Sequence, residues 1–232
     1  MKINNSTIQL KACIFDLDGV LVDTAIYHYK AWKKMANQLG FDFTEKQNES
    51  LKGISRDESL KLILEWGGLS IPPHTMAELA EQKNNWYTAM ISTMTPQEVL
   101  PGAIALLTAV RENGIKTALG SVSKNAGLIL EHTGLARFFD AIVDGNMGLT
   151  SKPDPAVFLK GAELLQEAPV NCLVFEDAVA GVKAALTAGM KVIGVGEEAV
   201  LKDADLVVKD LSEITLEEIR NHYHIIAADS LS

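Results

Sequence analysis

Ala12-Cys13-Ile14-Phe15-Asp16-Leu17-Asp18-Gly19-Val20 is the stretch that decides how this chain folds. Its first four residues form an unbroken apolar run, which reads as a buried strand bounded by turn chemistry. Two carboxylates, Asp16 and Asp18, follow at once, and Gly19 permits the sharp turn that lets a phosphate approach the backbone. In an open α/β sheet, ligands bind at the C-terminal ends of the strands. Carboxylates crowded there are costly to leave unpaired, so they need a cation or a reaction. Asp16 is placed to act as a carboxylate nucleophile in phosphoryl transfer, with Asp18 beside it to move protons. Asp-x-Asp-Gly also opens calcium loops. Those loops continue with further oxygen ligands and a closing Glu, whereas Val20, Leu21 and Val22 follow here.

From about residue 115 onward, strand-like and helix-like segments alternate, the mark of a parallel sheet flanked by helices. Strands are expected over 115–119, 141–143, 172–175, 192–195 and 206–208. Helices are expected over 103–111, 126–132, 156–167 and 178–188, with Gly or Pro punctuation where a stop belongs. No second strand follows the first promptly. Residues 23–94 read instead as helix after helix. Tyr29, Trp32, Ala36 and Leu39 share one face; Leu60, Ile63 and Leu64 follow a capping box of Ser55 and Glu58; Leu79, Trp86 and Met90 mark a third piece. The expected fold class is α/β: a Rossmann-like parallel sheet core with helices on both faces, plus an inserted α-helical cap domain. The core takes residues 1–22 and 95–232, and the cap takes 23–94, a lobe able to close over the strand ends.

The 232 residues are 47% hydrophobic, enough for one large core and a smaller lobe. A net charge of −9 without any basic stripe makes nucleic acid and acidic membrane surfaces poor partners. No stretch approaches the length of a membrane span, and residues 1–9 are polar, unlike a signal peptide. Cys13 and Cys172 sit inside apolar runs and read as core residues of a reducing compartment. A cytoplasmic monomer is expected, and residues 221–232 read as a peripheral end.

Three further segments line up with the opening motif. Gly120-Ser121-Val122-Ser123-Lys124-Asn125 lies between a strand and a helix, where hydroxyls and free N–H groups can cradle phosphate. Simple helix capping by Ser123 or Asn125 explains the same residues equally well. In Ser151-Lys152-Pro153-Asp154-Pro155 the prolines fix the backbone and Lys152 offers a point charge to phosphate oxygens. Alone, Lys152 would read as solvated surface. Phe175-Glu176-Asp177 puts a second acidic pair at a strand end. Acids there also suit a helix dipole. Together with Asp16 and Asp18, however, Glu176 and Asp177 would suit one Mg²⁺, which prefers oxygen ligands in near-octahedral array.

These four segments, in this order, resemble the haloacid dehalogenase superfamily of phosphotransferases over nearly the whole chain. The resemblance implies that Asp16 is the nucleophile and Asp18 the general acid/base. Ser121, Val122 and Lys152 would hold the transferring phosphoryl group, and Asp16, Asp18, Glu176 and Asp177 the Mg²⁺.

Within the superfamily, the stretches FDLDGVLVDTAIYHYKAW, SLKGISRDESL, SVSKNA, SKPDP and FEDA look like the cap-bearing sugar phosphomutase branch. That likeness implies that Arg56 grips the phosphate not being transferred, a task for a planar bidentate donor, with Ser123, Lys124 and Asn125 contributing. Gly53 and Ile54 would meet the sugar by backbone, and His28 and Lys52 would tie cap closure to alignment of Asp18. Thr24, Trp32 and Lys83 complete the implied substrate-binding set. The implied reaction interconverts β-D-glucose 1-phosphate and glucose 6-phosphate, with glucose 1,6-bisphosphate as priming phosphate donor. The sequence itself offers a physical ground for a mutase. A phosphatase needs one phosphate site and access to water, whereas a mutase needs two phosphate sites and a lid. An Mg²⁺-dependent sugar-phosphate phosphatase on the same scaffold is the alternative. Two features stay outside this reading: the glycine-rich stretch Asp144-Gly145-Asn146-Met147-Gly148-Leu149-Thr150, and Gly194-Val195-Gly196, an incomplete dinucleotide pattern.

Overall fold

β1 (Ala12–Phe15) is buried at every position and occupies an inner place in a six-stranded sheet. The structure is a computed structural model that describes residues 9–51 and 54–223. The other strands are β2 (Lys116–Gly120), β3 (Ala141–Val143), β4 (Cys172–Glu176), β5 (Lys191–Val195) and β6 (Leu206–Val208). All pairings are parallel, in the order β3-β2-β1-β4-β5-β6. The chain therefore winds outward from β1 in one direction and, from β4, in the other. The crevice between β1 and β4 is the switch point at which open α/β sheets bind ligands. Phe15 pairs with Phe175 across it, so Asp16, just past the end of β1, stands beside Glu176, the last residue of β4. Those two phenylalanine rings stack at 4.5 Å and 3° on the face of the sheet opposite to the one that Asp16 and Glu176 take.

Between β1 and β2 lie α1 (Ala25–Gln38), α2 (Glu45–Glu49), α3 (Arg56–Trp66) and α4 (Pro73–Ile91). This helical lobe has its own apolar cluster of Trp32, Met35, Ala36, Phe43, Leu51, Leu60, Ile63, Leu64 and Ala80. Remaining helices flank the sheet: α5 (Ala103–Glu112), α6 (Ala126–Thr133), α7 (Ala156–Leu165), α8 (Val179–Thr187) and α9 (Leu216–His222). Alternation along the strands sorts the core into two layers. Cys13, Phe15, Leu119, Phe175 and Ile193 pack under α5, α6 and α9, alongside Leu107, Ile129 and Ile219. Ala12, Ile14, Ala118, Val174 and Val192 pack under α7 and α8, alongside Phe158, Ala162, Val182 and Ala185. Helices thus cover both faces, as expected. Both cysteines are free and buried, and burial pushes their thiols well above the ordinary range.

Several expected boundaries move. β4 runs one residue further than expected, because Glu176 stays in the ladder opposite Gly194, which places a carboxylate inside the sheet. α7 stops at Leu165 because Gln166 takes the left-handed conformation, with φ of 57°, a stop that no glycine marks. Ser55 caps α3 as expected: its Oγ accepts from the Glu58 N–H at 3.4 Å, and the Glu58 carboxylate takes the Ser55 hydroxyl. Full boxes form at Thr44–Gln47, Thr95–Glu98 and Thr215–Glu218. The peripheral end expected over 221–232 lies outside the described residues beyond Tyr223. Among the described residues, no helix is long and apolar enough to cross a membrane.

Candidate active site

Asp16 emerges from β1 into the switch-point crevice, where Lys152 crosses from the segment before α7 to meet it. Lys152 Nζ lies 2.5 Å from Asp16 Oδ1 and 2.8 Å from Glu176 Oε2, and its side chain is wholly buried. Burial opposes the ammonium charge, but the two carboxylates outweigh it and hold the Lys152 pKa above its usual value. The Phe158 ring lies 4.8 Å from the same ammonium. Glu176 also accepts from the Ala178 N–H at 3.0 Å. Burial raises its pKa, with Lys152 pulling the other way and Asp16 and Asp177 adding to the rise.

Carboxylate oxygens of Asp16, Glu176 and Asp177 lie within 4.8 Å of one another. An all-carboxylate set of hard oxygen donors fits Mg²⁺ and does not suit a metal that needs sulfur or imidazole. Asp18, the fourth carboxylate expected at the metal, is not one of these three, and its Oδ1 accepts from the hydroxyl of Thr24. Burial, reinforced by the Asp16 charge, pushes the Asp18 carboxyl up to about 7, which suits a group that must both give and take a proton near neutrality. Gly19 makes the approach of the acidic strands possible. It holds φ of +81°, and a Cβ there would lie 2.1 Å from Asp177 Oδ2.

The roof of the cleft comes from the helical lobe. His28, Trp32, Ile54, Arg56 and Lys83 line it together with Thr24. Lys83 Nζ lies 2.9 Å from His28 Nδ1 and over the rings of Trp32 (4.3 Å) and Tyr87 (4.8 Å). Burial lowers the pKa of Lys83, and the nearby Arg56 charge lowers it further; His28 is lowered by burial, then by Lys83 and Arg56. An anion entering beneath this roof would favour the charged forms that burial and mutual repulsion now oppose. Lys52 and Gly53 lie outside the described residues.

Ser121, Val122, Ser123, Lys124 and Asn125 line the near wall. Ser121 is buried, and its Oγ accepts from the Ser123 N–H at 3.1 Å. Asn125 occupies the N-cap position of α6 without a side-chain cap bond among the described residues, so capping does not explain its amide. Its Nδ2 reaches Asn84 Oδ1 in α4 at 2.8 Å. Lys124 Nζ faces Asp57 in α3 at 3.8 Å. These two contacts join the lobe to the core across the cleft. The sequence reading missed Asn84 and Asp57, which belong to no recognisable spacing. It also missed Gly181, where a Cβ would lie 2.0 Å from Glu176 Cδ. Its offset from Glu176 within Phe175-Glu176-Asp177-Ala178-Val179-Ala180-Gly181 was the available signal.

A parallel sheet with a paired acidic floor and a helical lid defines a phosphoryl-transfer enzyme. A family model described as haloacid dehalogenase-like hydrolase matches residues 10–189, and the chain belongs to that family. The β-phosphoglucomutase of Bacillus subtilis is 44% identical over 217 residues, spanning 92% of this chain and 96% of that protein. The crystal structure of β-phosphoglucomutase from Clostridium difficile superposes with a TM-score of 0.91 at 45% identity, covering 93% of this chain and 98% of that one. The fructose-1-phosphate phosphatase of Escherichia coli is 31% identical over 182 residues, 78% of this chain and 94% of that protein. The family expectation read from the motifs is borne out.

Proposed function

We propose that this chain is a β-phosphoglucomutase, interconverting β-D-glucose 1-phosphate and glucose 6-phosphate through an aspartyl-phosphate and glucose 1,6-bisphosphate. The observation that carries this reading is cationic residues on two sides of one cleft. Lys152 holds Asp16 at the floor, while Arg56 and Lys83 line the roof and Lys124 lines the wall. Two phosphates on one sugar need both places, and a phosphatase needs only the first.

Asp16, Glu176 and Asp177 would hold Mg²⁺, which when bound supplies charge neutralisation between a carboxylate and phosphoryl oxygens. Lys152 fixes Asp16 Oδ1 and leaves the other oxygen to form the bond to phosphorus. As that bond forms, the bond from phosphorus to the sugar oxygen breaks, and Asp18 delivers a proton to the leaving oxygen. In the reverse direction Asp18 takes the proton from the attacking hydroxyl, and the phosphoryl group passes from Asp16 to the sugar. The bisphosphate then turns over, so that its other end meets Asp16. Arg56, Ser123, Lys124 and Asn125 hold the phosphate that is not reacting. Residues 23–94 act as one cap, tied to the core through Asn84 and Asp57, and its closure over the cleft would keep water from the phosphoenzyme.

Substituting Arg56→Ala tests the two-site reading. Use of glucose 1,6-bisphosphate should weaken far more than hydrolysis of acetyl phosphate, which engages only the Asp16 site. Equal losses with both substrates would contradict it.

A further inference from the structure

The glycine-rich turn after β3, unused in the mechanism above, is tied through Gly145 and Asn146 to the loop that carries Ser123, Lys124 and Asn125. Gly120 of β2 pairs with Val143 of β3, so the two loops leave the sheet side by side. The Gly145 N–H donates to the Ser123 carbonyl at 3.1 Å. Asn146 Nδ2 donates to the Lys124 carbonyl and to Asp144 Oδ2, both at 3.0 Å. Asp144 Oδ1 accepts from the Asn146 backbone N–H at 2.9 Å. Both hydrogens of the Asn146 amide are thereby committed, which fixes its orientation. Gly145 marks the closest approach. A Cβ there would lie 2.3 Å from the Val122 carbonyl oxygen and 2.8 Å from the Lys124 nitrogen, both backbone atoms that cannot swing aside.

A loop receives an anion when its N–H dipoles face the ligand and its carbonyl oxygens do not. Gly145 and Asn146 engage the carbonyls of Ser123 and Lys124, two residues assigned above to the non-reacting phosphate. Asp144 in turn holds Asn146. We propose that Asp144, Gly145 and Asn146 are positioning residues that set the place of this phosphate loop. They thereby set the span between the two phosphate sites and favour sugars phosphorylated at both ends over small monophosphates. The inference rests on the two-site reading and adds to it the residues that fix the distance.

The test compares Asn146→Ala, Asn146→Asp and Gly145→Ala with wild type. Two quantities are measured: KM for glucose 1,6-bisphosphate as phosphoryl donor, and kcat/KM for acetyl phosphate hydrolysis. Asn146 is exposed, so its variants keep the fold. For Asn146→Ala, KM for the bisphosphate should rise about three- to tenfold, the effect of losing the hydrogen bond to the Lys124 carbonyl. Acetyl phosphate hydrolysis should stay within about twofold, as for an ordinary surface change. Asn146→Asp should be worse than Asn146→Ala, because a carboxylate would then face the Lys124 carbonyl. Unchanged bisphosphate KM in all three variants, or a proportional loss with both substrates, would overturn the proposal. A wild-type enzyme with no preference for the bisphosphate over acetyl phosphate overturns the two-site reading itself, and that result needs no variant.

Discussion

Lys152 and Asp16 form an ion pair of 2.5 Å at the floor of the cleft, with the Lys152 side chain wholly buried. Glu176 shares the same ammonium at 2.8 Å, so one cation keeps two carboxylates close. Removing one partner of a buried ion pair leaves uncompensated charge, which costs far more than the pair itself contributes. Lys152→Ala should therefore destabilise the metal-free protein by about 3–5 kcal/mol. Chemical denaturation reads this directly, and a stability equal to wild type would show that the three side chains do not form one electrostatic unit. Turnover should fall by about 10²–10³, the scale of losing one preorganised charge at a reacting group.

Asp18 is held by the Thr24 hydroxyl and lies close enough to Asp16 to feel its charge. Asp18→Asn keeps the shape and removes the proton. Transfer to and from sugar hydroxyls should slow by about 10²–10⁴. Phosphorylation of Asp16 by acetyl phosphate, whose leaving group needs little protonation, should slow much less. Comparable slowing of both steps in single-turnover measurements would remove Asp18 as the acid/base.

Gly181 backs the Glu176 carboxylate so closely that a Cβ would sit 2.0 Å from its Cδ. Gly181→Ala must displace Glu176 and disturb both its bond to Lys152 and its place in the acidic cluster. Mg²⁺ affinity measured by calorimetry should weaken by about 10–100-fold, as for other residues that orient a metal ligand. Wild-type affinity would mean that Glu176 is not needed where it stands.

At the opposite end of the sheet, Asp140 accepts from the Thr117 N–H at 2.8 Å and from Arg111 Nη1 at 2.9 Å. Partial burial alone would raise its pKa, but the Thr117 and Arg111 bonds overcome this and hold it below the usual carboxylate value. A lowered folded-state pKa gives stability that is present above the unfolded value and lost as pH falls through the folded one. The wild type should accordingly lose stability below about pH 4. Asp140→Asn should remove that part of the pH dependence, a change of about 1 kcal/mol or less for a half-exposed group. Identical pH–stability curves for the two proteins would contradict this assignment.

Much of this was legible in the sequence because buried parallel strands leave plain marks. The apolar run ending at Phe15 and the run ending at Phe175 each carry acids at the C-terminal end, which is enough to put them at neighbouring strand ends. The inserted helices were legible from the shared faces of Trp32, Ala36, Leu60 and Ile63. What escaped depends on approach between distant segments. Asn84 meets Asn125 across 41 residues of chain, and no local pattern encodes that meeting. Gln166 ends α7 in a left-handed conformation that the sequence does not advertise.

Phosphorus NMR tests the central claim most directly. The protein is mixed with Mg²⁺, β-D-glucose 1-phosphate and a trace of glucose 1,6-bisphosphate, and the spectrum is followed in time. The mutase reading predicts conversion to glucose 6-phosphate with the bisphosphate level maintained and little inorganic phosphate. Steady release of inorganic phosphate without glucose 6-phosphate would contradict it and leave a phosphatase on the same scaffold.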